Sequence, residues 1–198
     1  MNFPFDRPIV LENERVQLRL IEPSDVAHLL PVSSADQKLL QYSPAQIHTQ
    51  EFLADYIASA LKEKEKRRRY PFIIYDKLRK SYAGSTSFMS ISQPNKRLEI
   101  GSTWIGKDFQ RTGLNRHCKF LLLHFAFEEA QAERVEFLTD ERNLQSRTAI
   151  EKIGAKFEGI LRSHITMLDG FRRSSVSYSI IREEWPQVKQ MLGEAIRK

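Results

Sequence analysis

From Gln110 to Lys119 the chain reads Gln-Arg-Thr-Gly-Leu-Asn-Arg-His-Cys-Lys, a single glycine set among cations. Gly113 stands where a polar stretch gives way to a dense apolar helical pattern, a position that permits positive φ and close backbone approach. The amides of that turn and of the first helical turn have no intrahelical acceptors, and the helix dipole adds to their positive potential. Such an entrance suits an anion of the phosphate kind, with Arg111, Arg116 and Lys119 adding charge beside it. An ordinary turn glycine flanked by exposed basic residues fits the same stretch, and neither a Walker A run nor GxGxxG is present to decide. Cys118 lies inside the apolar pattern and reads as a buried structural thiol, with no spaced His-Asp partners to make it a nucleophile. His28, His48, His117, His124 and His164 are scattered without zinc spacing, so no metal is expected.

The elements that must position these residues follow from periodicity. Arg15–Glu22 alternates Val16, Leu18 and Leu20 against polar neighbours, a half-buried strand. Pro23-Ser24-Asp25 opens a short helix through Leu30, and Thr49 is placed to cap a longer one. Along that second helix Phe52, Leu53, Tyr56, Ile57, Ala60 and Leu61 recur at spacings of three and four. Tyr70–Tyr75, Tyr82–Ile91 and Leu98–Ile105 are strand-like and separated by turn-rich segments. A helix is expected from Leu114 to Gln131, a strand over Arg134–Asp140, and a helix over Ser146–Ile153 stopped by Gly154. Two further strands flank the Asp169-Gly170 turn, and the chain closes on a surface helix. This order predicts one mixed α+β domain over residues 1–198, preceded by an extended segment 1–14. Its sheet should be central, twisted and mostly antiparallel, with about seven strands and helices on both faces.

Bulk properties narrow the function classes. With 41% hydrophobic residues, 198 residues can bury a sizeable core, so wholesale disorder is excluded. No apolar run is long enough to span a bilayer, the start lacks a secretory signal, and one cysteine suits a reducing compartment, so a cytoplasmic protein without membrane attachment is expected. The net charge of +6 permits an anionic partner. Much of it sits in Lys62–Arg69, read as a solvated helix end rather than a nucleic-acid patch, which should extend along a face. A homodimer is compatible with the sequence.

Gln110-Arg111-Thr112-Gly113-Leu114-Asn115 resembles the Q/R-x-x-G-x-G/A acyl-CoA loop of the GNAT acetyltransferases. The run from Asp140 to Arg162, DERNLQSRTAIEKIGAKFEGILR, is similar to the signature of the RimJ/RimL-like group, which acetylates ribosomal-protein N-termini. The resemblance covers about Arg15 to Trp185. One position departs from it: Asn115 stands where the superfamily has Gly or Ala, although Asn tolerates left-handed backbone and can cap a helix. The resemblance implies that the entrance formed by Gln110, Arg111, Thr112, Gly113, Leu114, Asn115 and Arg116 holds the pyrophosphate of acetyl-CoA. It implies an acetyl-CoA-dependent N-acetyltransferase acting directly on a peptide N-terminus or a small-molecule amine.

That chemistry needs a base for the ammonium, donors for a developing oxyanion and a departing thiolate. In the resembled fold Leu98–Ile105 diverges from Arg134–Asp140, and backbone amides near Trp104 and Ile105 would polarise the thioester and hold pantetheine. Strand alternation turns Glu99 away from core-facing Leu98 and Ile100, together with Gly101 and Thr103, which makes Glu99 the first candidate for the base and Asp140 its rival. Asn143 resembles the family residue that hydrogen-bonds pantetheine. Ser146 is placed to protonate or orient the departing sulfur, or else to cap a helix. Pro23–Ala60 and the hairpin Gly159–Arg173 should wall the amine side. Two other classes share parts of this pattern: a CoA-binding sensor without turnover, and an RNA-binding module built on Lys62–Arg69.

Overall fold

Arg15–Glu22 and the three alternating segments after Tyr70 do form strands, and they meet in one sheet. The computed structural model describes residues 1–197. Its strands are β1 (Leu11–Glu12), β2 (Val16–Leu20), β3 (Tyr70–Asp76), β4 (Ser81–Ser92), β5 (Arg97–Ile105), β6 (Arg134–Asp140), β7 (Lys156–Thr166) and β8 (Arg172–Ile181). Their order is β1-β2-β3-β4-β5-β6-β8-β7, antiparallel at every pairing but β5–β6. The helices are α1 (Val26–Ser33), α2 (Gln50–Glu65), α3 (Leu114–His124), α4 (Leu144–Lys152) and α5 (Trp185–Ile196).

Period-two alternation sends neighbouring side chains of one strand into two different cores. Tyr70, Phe72 and Ile74 of β3 pack with Leu114, Cys118 and Leu122 of α3 and with Val188 and Leu192 of α5. Ile73, between them, joins Leu29 of α1, Leu53 and Ile57 of α2, and Trp104 on the other face. Helices therefore cover both faces, and the fold is mixed α+β. The stripe on α2 begins where Thr49 caps the helix, its Oγ1 accepting from the Phe52 N–H at 3.2 Å.

Three features differ from the periodicity reading. The sheet has eight strands because Leu11–Glu12, too short to show alternation, pairs with β2. The segment read as an extended arm supplies Phe3, Phe5, Ile9 and Leu11 to the larger core, where Phe3 meets Phe88 edge-on with centroids 5.5 Å apart. Burying each such side chain contributes roughly 1.5–3 kcal/mol, so this segment is part of the fold. The long helix ends at His124 and widens into a π-helical turn, Phe125–Glu129, with Ala130 N–H on Phe125 C=O at 2.8 Å. The wider turn brings three consecutive residues, Phe125, Ala126 and Phe127, into the interior.

The feature that matters for function lies in β5. Ser85 pairs with Trp104 but Ser87 pairs with Gly101, so β5 has one residue more than β4 at this point. The extra residue is a bulge around Ser102, whose φ of 45° is left-handed. Beyond it the faces exchange. Thr103, expected beside Glu99, instead turns toward α3, where its Oγ1 accepts from Lys119 Nζ at 2.8 Å. Trp104 takes the α1/α2 face in its place. Strand β5 pairs with β6 over three positions, Arg97 with Arg134 through Glu99 with Glu136, and then the two part.

Candidate active site

The gap between β5 and β6 ends at the Gly113 turn. Gly113 has φ 87° and is the residue before α3. A Cβ there would meet nothing within 4 Å, so glycine is required by backbone conformation and not by crowding. Arg111 is also left-handed at φ 60°. Thr112 Oγ1 donates to the Phe109 carbonyl at 2.7 Å, and the Gly113 carbonyl accepts from the N–H groups of Arg116 and His117. The N–H groups of Arg111, Thr112, Gly113 and Asn115 have no acceptor among the described residues. Successive free amides before a helix N-terminus make an anion-binding concavity.

The flanking cations do not all serve it. Arg116 donates to the Ala195 carbonyl at 3.0 Å and so caps α5. Lys119, expected beside the entrance, is buried under β5 on Thr103, and burial lowers its pKa to about 8. Arg111 remains exposed without a partner among the described residues. Arg15, which carried no local signal, reaches Thr112 Oγ1 at 3.5 Å while paired with Asp76 at 2.9 Å. Leu114 is buried and anchors the turn to the core. Asn115 Oδ1 is buried without a donor, an unsatisfied acceptor at the position that departs from the family pattern.

Along the gap, the Gly106 N–H donates to Ala83 of β4 at 2.9 Å. Antiparallel alternation then points the Trp104 amide at β4 and the Ile105 amide into the gap. Of the two amides expected there, that of Ile105 faces it, while the Trp104 indole fills the α2 core with its Nε1 unpaired. The Ile105 carbonyl accepts from the Gln110 side chain at 2.9 Å, and Gln110 Oε1 accepts from Gln145 of α4 at 3.1 Å. Gln110 thus joins the end of β5 to α4 across the divergence. Asn143 caps α4, its Oδ1 accepting from the Ser146 N–H at 3.0 Å. Ser146 is therefore the capped residue and not the cap, and its hydroxyl has no partner among the described residues.

Glu99 is half-buried on the α1/α2 face, its Oε2 accepting from Ser90 Oγ at 3.3 Å. Burial raises its pKa to about 7, helped by Glu136 and opposed by Ser90, Arg173 and Arg69. A carboxyl titrating there is poised as a base near neutral pH. Gly101 makes its position possible: a Cβ on Gly101 would lie 2.6 Å from Glu99 Oε1 and 3.0 Å from Met89 Sδ. The rival carboxylate is otherwise engaged. Asp140 is raised by burial, but the Arg142 guanidinium and N–H outweigh that and hold it below its ordinary value, with Arg142 Nη2 at 2.7 Å. Cys118 is buried and its pKa is pushed up to about 12 by that burial, so it supplies no thiolate. Among the described residues no cluster of His, Cys, Asp and Glu could hold a metal ion, and no helix is long and apolar enough to cross a membrane.

In the segments expected to wall the amine side, the loop Asp36–His48 and the hairpin tip Met167–Asp169 converge around a recess of about 240 Å³. Two residues that periodicity passed over act on Glu99 through their charge. Arg69 donates to Ser87 Oγ and to the Tyr56 hydroxyl, both at 2.9 Å. Arg173 donates to the Tyr42 carbonyl at 2.8 Å. Within Lys62–Arg69 only the inward turn of Arg69 distinguished it from its solvated neighbours, and that is a tertiary fact.

A split parallel pair, a bulged strand and a glycine turn leading into a helix frame this site, and the family profile described as Acetyltransferase (GNAT) domain matches residues 15–156. The chain belongs to the GNAT acetyltransferase family. It is 28% identical over 188 residues to "Putative ribosomal N-acetyltransferase YdaF" of Bacillus subtilis (strain 168), covering 87% of this chain and 94% of that protein. A GCN5-related N-acetyltransferase from Brucella melitensis superposes with a TM-score of 0.90 at 25% identity, over 98% of this chain and 87% of that one. Mycobacterium smegmatis RimJ, solved in complex with CoA-disulfide, shares the fold at a TM-score of 0.80 and 22% identity, over 95% of this chain and 93% of its own.

Proposed function

We propose that this protein moves the acetyl group of acetyl-CoA directly to an amine, in a ternary complex, with a peptide N-terminus or a small-molecule amine as acceptor. The observation that carries the reading is the alignment of the β5–β6 gap, with free amides of the Gly113 turn at one end and a carboxyl titrating near 7 on the strand that lines it. The names of the relatives, which speak of ribosomal N-acetyltransferase and of RimJ, support a protein N-terminus as one acceptor class.

Acetyl-CoA supplies an activated acyl carbon and a leaving thiolate. Glu99 takes the proton that the attacking ammonium must lose, directly or through water. The Ile105 N–H donates to the carbonyl oxygen as negative charge develops on it. The amides from Arg111 to Asn115, with Arg111, hold the pyrophosphate. Asn143 offers its side-chain N–H groups to the pantetheine arm while its oxygen caps α4. Ser146, at the start of α4 with a hydroxyl unpaired among the described residues, would be the group that orients the sulfur. A thiol with a pKa near ~8.5 leaves readily as the thiolate, so this hydroxyl orients more than it protonates.

The test is a thermal melt and a CoA-release assay on the full chain. Millimolar acetyl-CoA should raise Tm, because a ligand bound to the native state alone adds RT ln(1 + [L]/Kd). No shift refutes the reading. A shift without CoA release from any amine in a broad panel favours a sensor of the same fold.

A further inference from the structure

We propose that the amine acceptor carries an anionic group, a carboxylate or a phosphate, held by Arg69 and Arg173 on either side of Glu99; this rests on the transferase reading above. Arg173 is 7% exposed. Its Nε and Nη2 donate to Ser175 Oγ at 3.3 and 3.0 Å, and its Nη1 to the Tyr42 carbonyl, all neutral acceptors. A guanidinium stays charged in a protein, and burying one without a counter-ion is costly. Arg69 is half-buried, held by Ser87 and by Tyr56, over whose ring it lies at 5.2 Å. No Asp or Glu oxygen among the described residues comes within 4.0 Å of either.

The contrast with their neighbours gives this its weight. Arg97 is paired with Glu136 at 2.7 Å, Arg134 with Glu136 and Glu158, and Arg142 with Asp140 at 2.7 Å. Arg172, next along β8, also lacks a carboxylate but is exposed and bonds only Ser163 and Thr166. Arg173 is buried with no carboxylate at ion-pair distance, favoured only by the longer-range charges of Asp140 and Glu99, and both it and Arg69 act on Glu99 in turn. Arg69 enters from the β3 side and Arg173 from β8, so they flank the carboxylate. Each retains N–H groups: three of the five in Arg173 are used, and two in Arg69. A simple ammonium approaching Glu99 would meet two positive charges. An acceptor with an anion next to its amine would satisfy all three groups, the amine toward Glu99 and the anion on the guanidinium forks.

The experiment compares acceptors that differ in the anion alone, by initial rates of CoA release at low salt. The probes are Ala-Asp-Ala-amide against Ala-Asn-Ala-amide, Ala-phosphoserine-Ala-amide against Ala-Ser-Ala-amide, and alanine against alaninamide. At least one anionic probe should exceed its neutral partner in kcat/KM by about tenfold or more, and which one does so separates side-chain carboxylate, phosphate and α-carboxylate. Arg69→Gln and Arg173→Gln should each bring that ratio toward one. Neutral probes equal to or better than every anionic partner would overturn the proposal. So would an equal loss on both members of a pair in both variants, which would make Arg173 a pin for the Tyr42 loop and Arg69 one for α2. No CoA release from any probe, with acetyl-CoA still raising Tm, also counts against it. Absence of the thermal shift instead removes the transferase reading, and this proposal falls with it.

Discussion

Gly101→Ala adds a single methyl group whose neighbours are known. In the present geometry it would sit 2.6 Å from Glu99 Oε1, 3.3 Å from Glu99 Cδ and 3.0 Å from Met89 Sδ. No backbone atom is among these contacts, and both obstructing groups end flexible side chains, so the fold can accommodate the methyl by moving them. The stability loss should stay within roughly 1 kcal/mol, the ordinary range for a substitution that opens no cavity. Catalysis should suffer more, because Glu99 must swing away from the position that places it over β5. Misplacement by about 1 Å can cost on the order of a hundredfold, and loss of a general base about 10²–10⁴-fold. Gly101→Ala should therefore lower kcat by about 10- to 100-fold, less than Glu99→Gln, while acetyl-CoA binding by calorimetry stays near that of the parent. The decisive assay is a double-mutant cycle: in a Glu99→Gln background the alanine should add almost nothing. A Gly101→Ala enzyme with parental kcat, or one that loses the same factor in both backgrounds, would refute the idea that this glycine acts through Glu99.

With its pKa raised to about 7, chiefly by burial, Glu99 should make kcat/KM rise with pH and level off above 7, a limb that Glu99→Gln removes. The same shift means that the folded protein holds a proton the unfolded chain has released; this contribution to stability is full below about 4.5 and lost as pH rises through 7, so urea melts at pH 5 and 8 should show Glu99→Gln gaining on the parent at the higher pH. Asn143→Ala should cost about 1 kcal/mol through the lost cap of α4, whereas Ser146→Ala, whose hydroxyl bonds nothing among the described residues, should melt like the parent and lose less than tenfold in kcat. Gly113→Val should weaken acetyl-CoA by forcing a β-branched residue to φ 87°, equally at low and high salt, while the effect of Arg111→Ala should shrink as salt screens it; calorimetric titration at two ionic strengths separates them. Arg116→Ala should show as a loss in Tm, because its guanidinium holds the Ala195 carbonyl.

Much was legible without coordinates because it is local. Hydrophobic period marks an element wherever it occurs, and it placed β3 through β8 and the main helices within a few residues. Thr49 as a cap and Gly113 as a left-handed turn residue follow from the chemistry of one or two residues. Glu99 was assigned its face by alternation alone, because the irregularity opposite Leu98 puts its extra residue in β4 and leaves β5 unbroken. What failed was whatever depends on a count of residues across two strands or on a partner far along the chain. One extra residue at Ser102 moved Thr103 to the opposite face, since side-chain direction has period two and a bulge leaves no hydrophobic trace. Arg116 and Lys119 look alike beside Gly113, yet one faces the end of α5 and the other the underside of β5. Arg69 and Arg173 stand 104 positions apart in the sequence, yet the charges of both act on one carboxylate in the sheet. The sequence by itself determined the elements, the glycine entrance and a carboxylate on the open face of β5, because each is specified by neighbours within a turn or a strand. Only the tertiary structure decided which charges are neutralised by an ion pair and which are not, because Coulomb forces act through space and the fold chooses the distances.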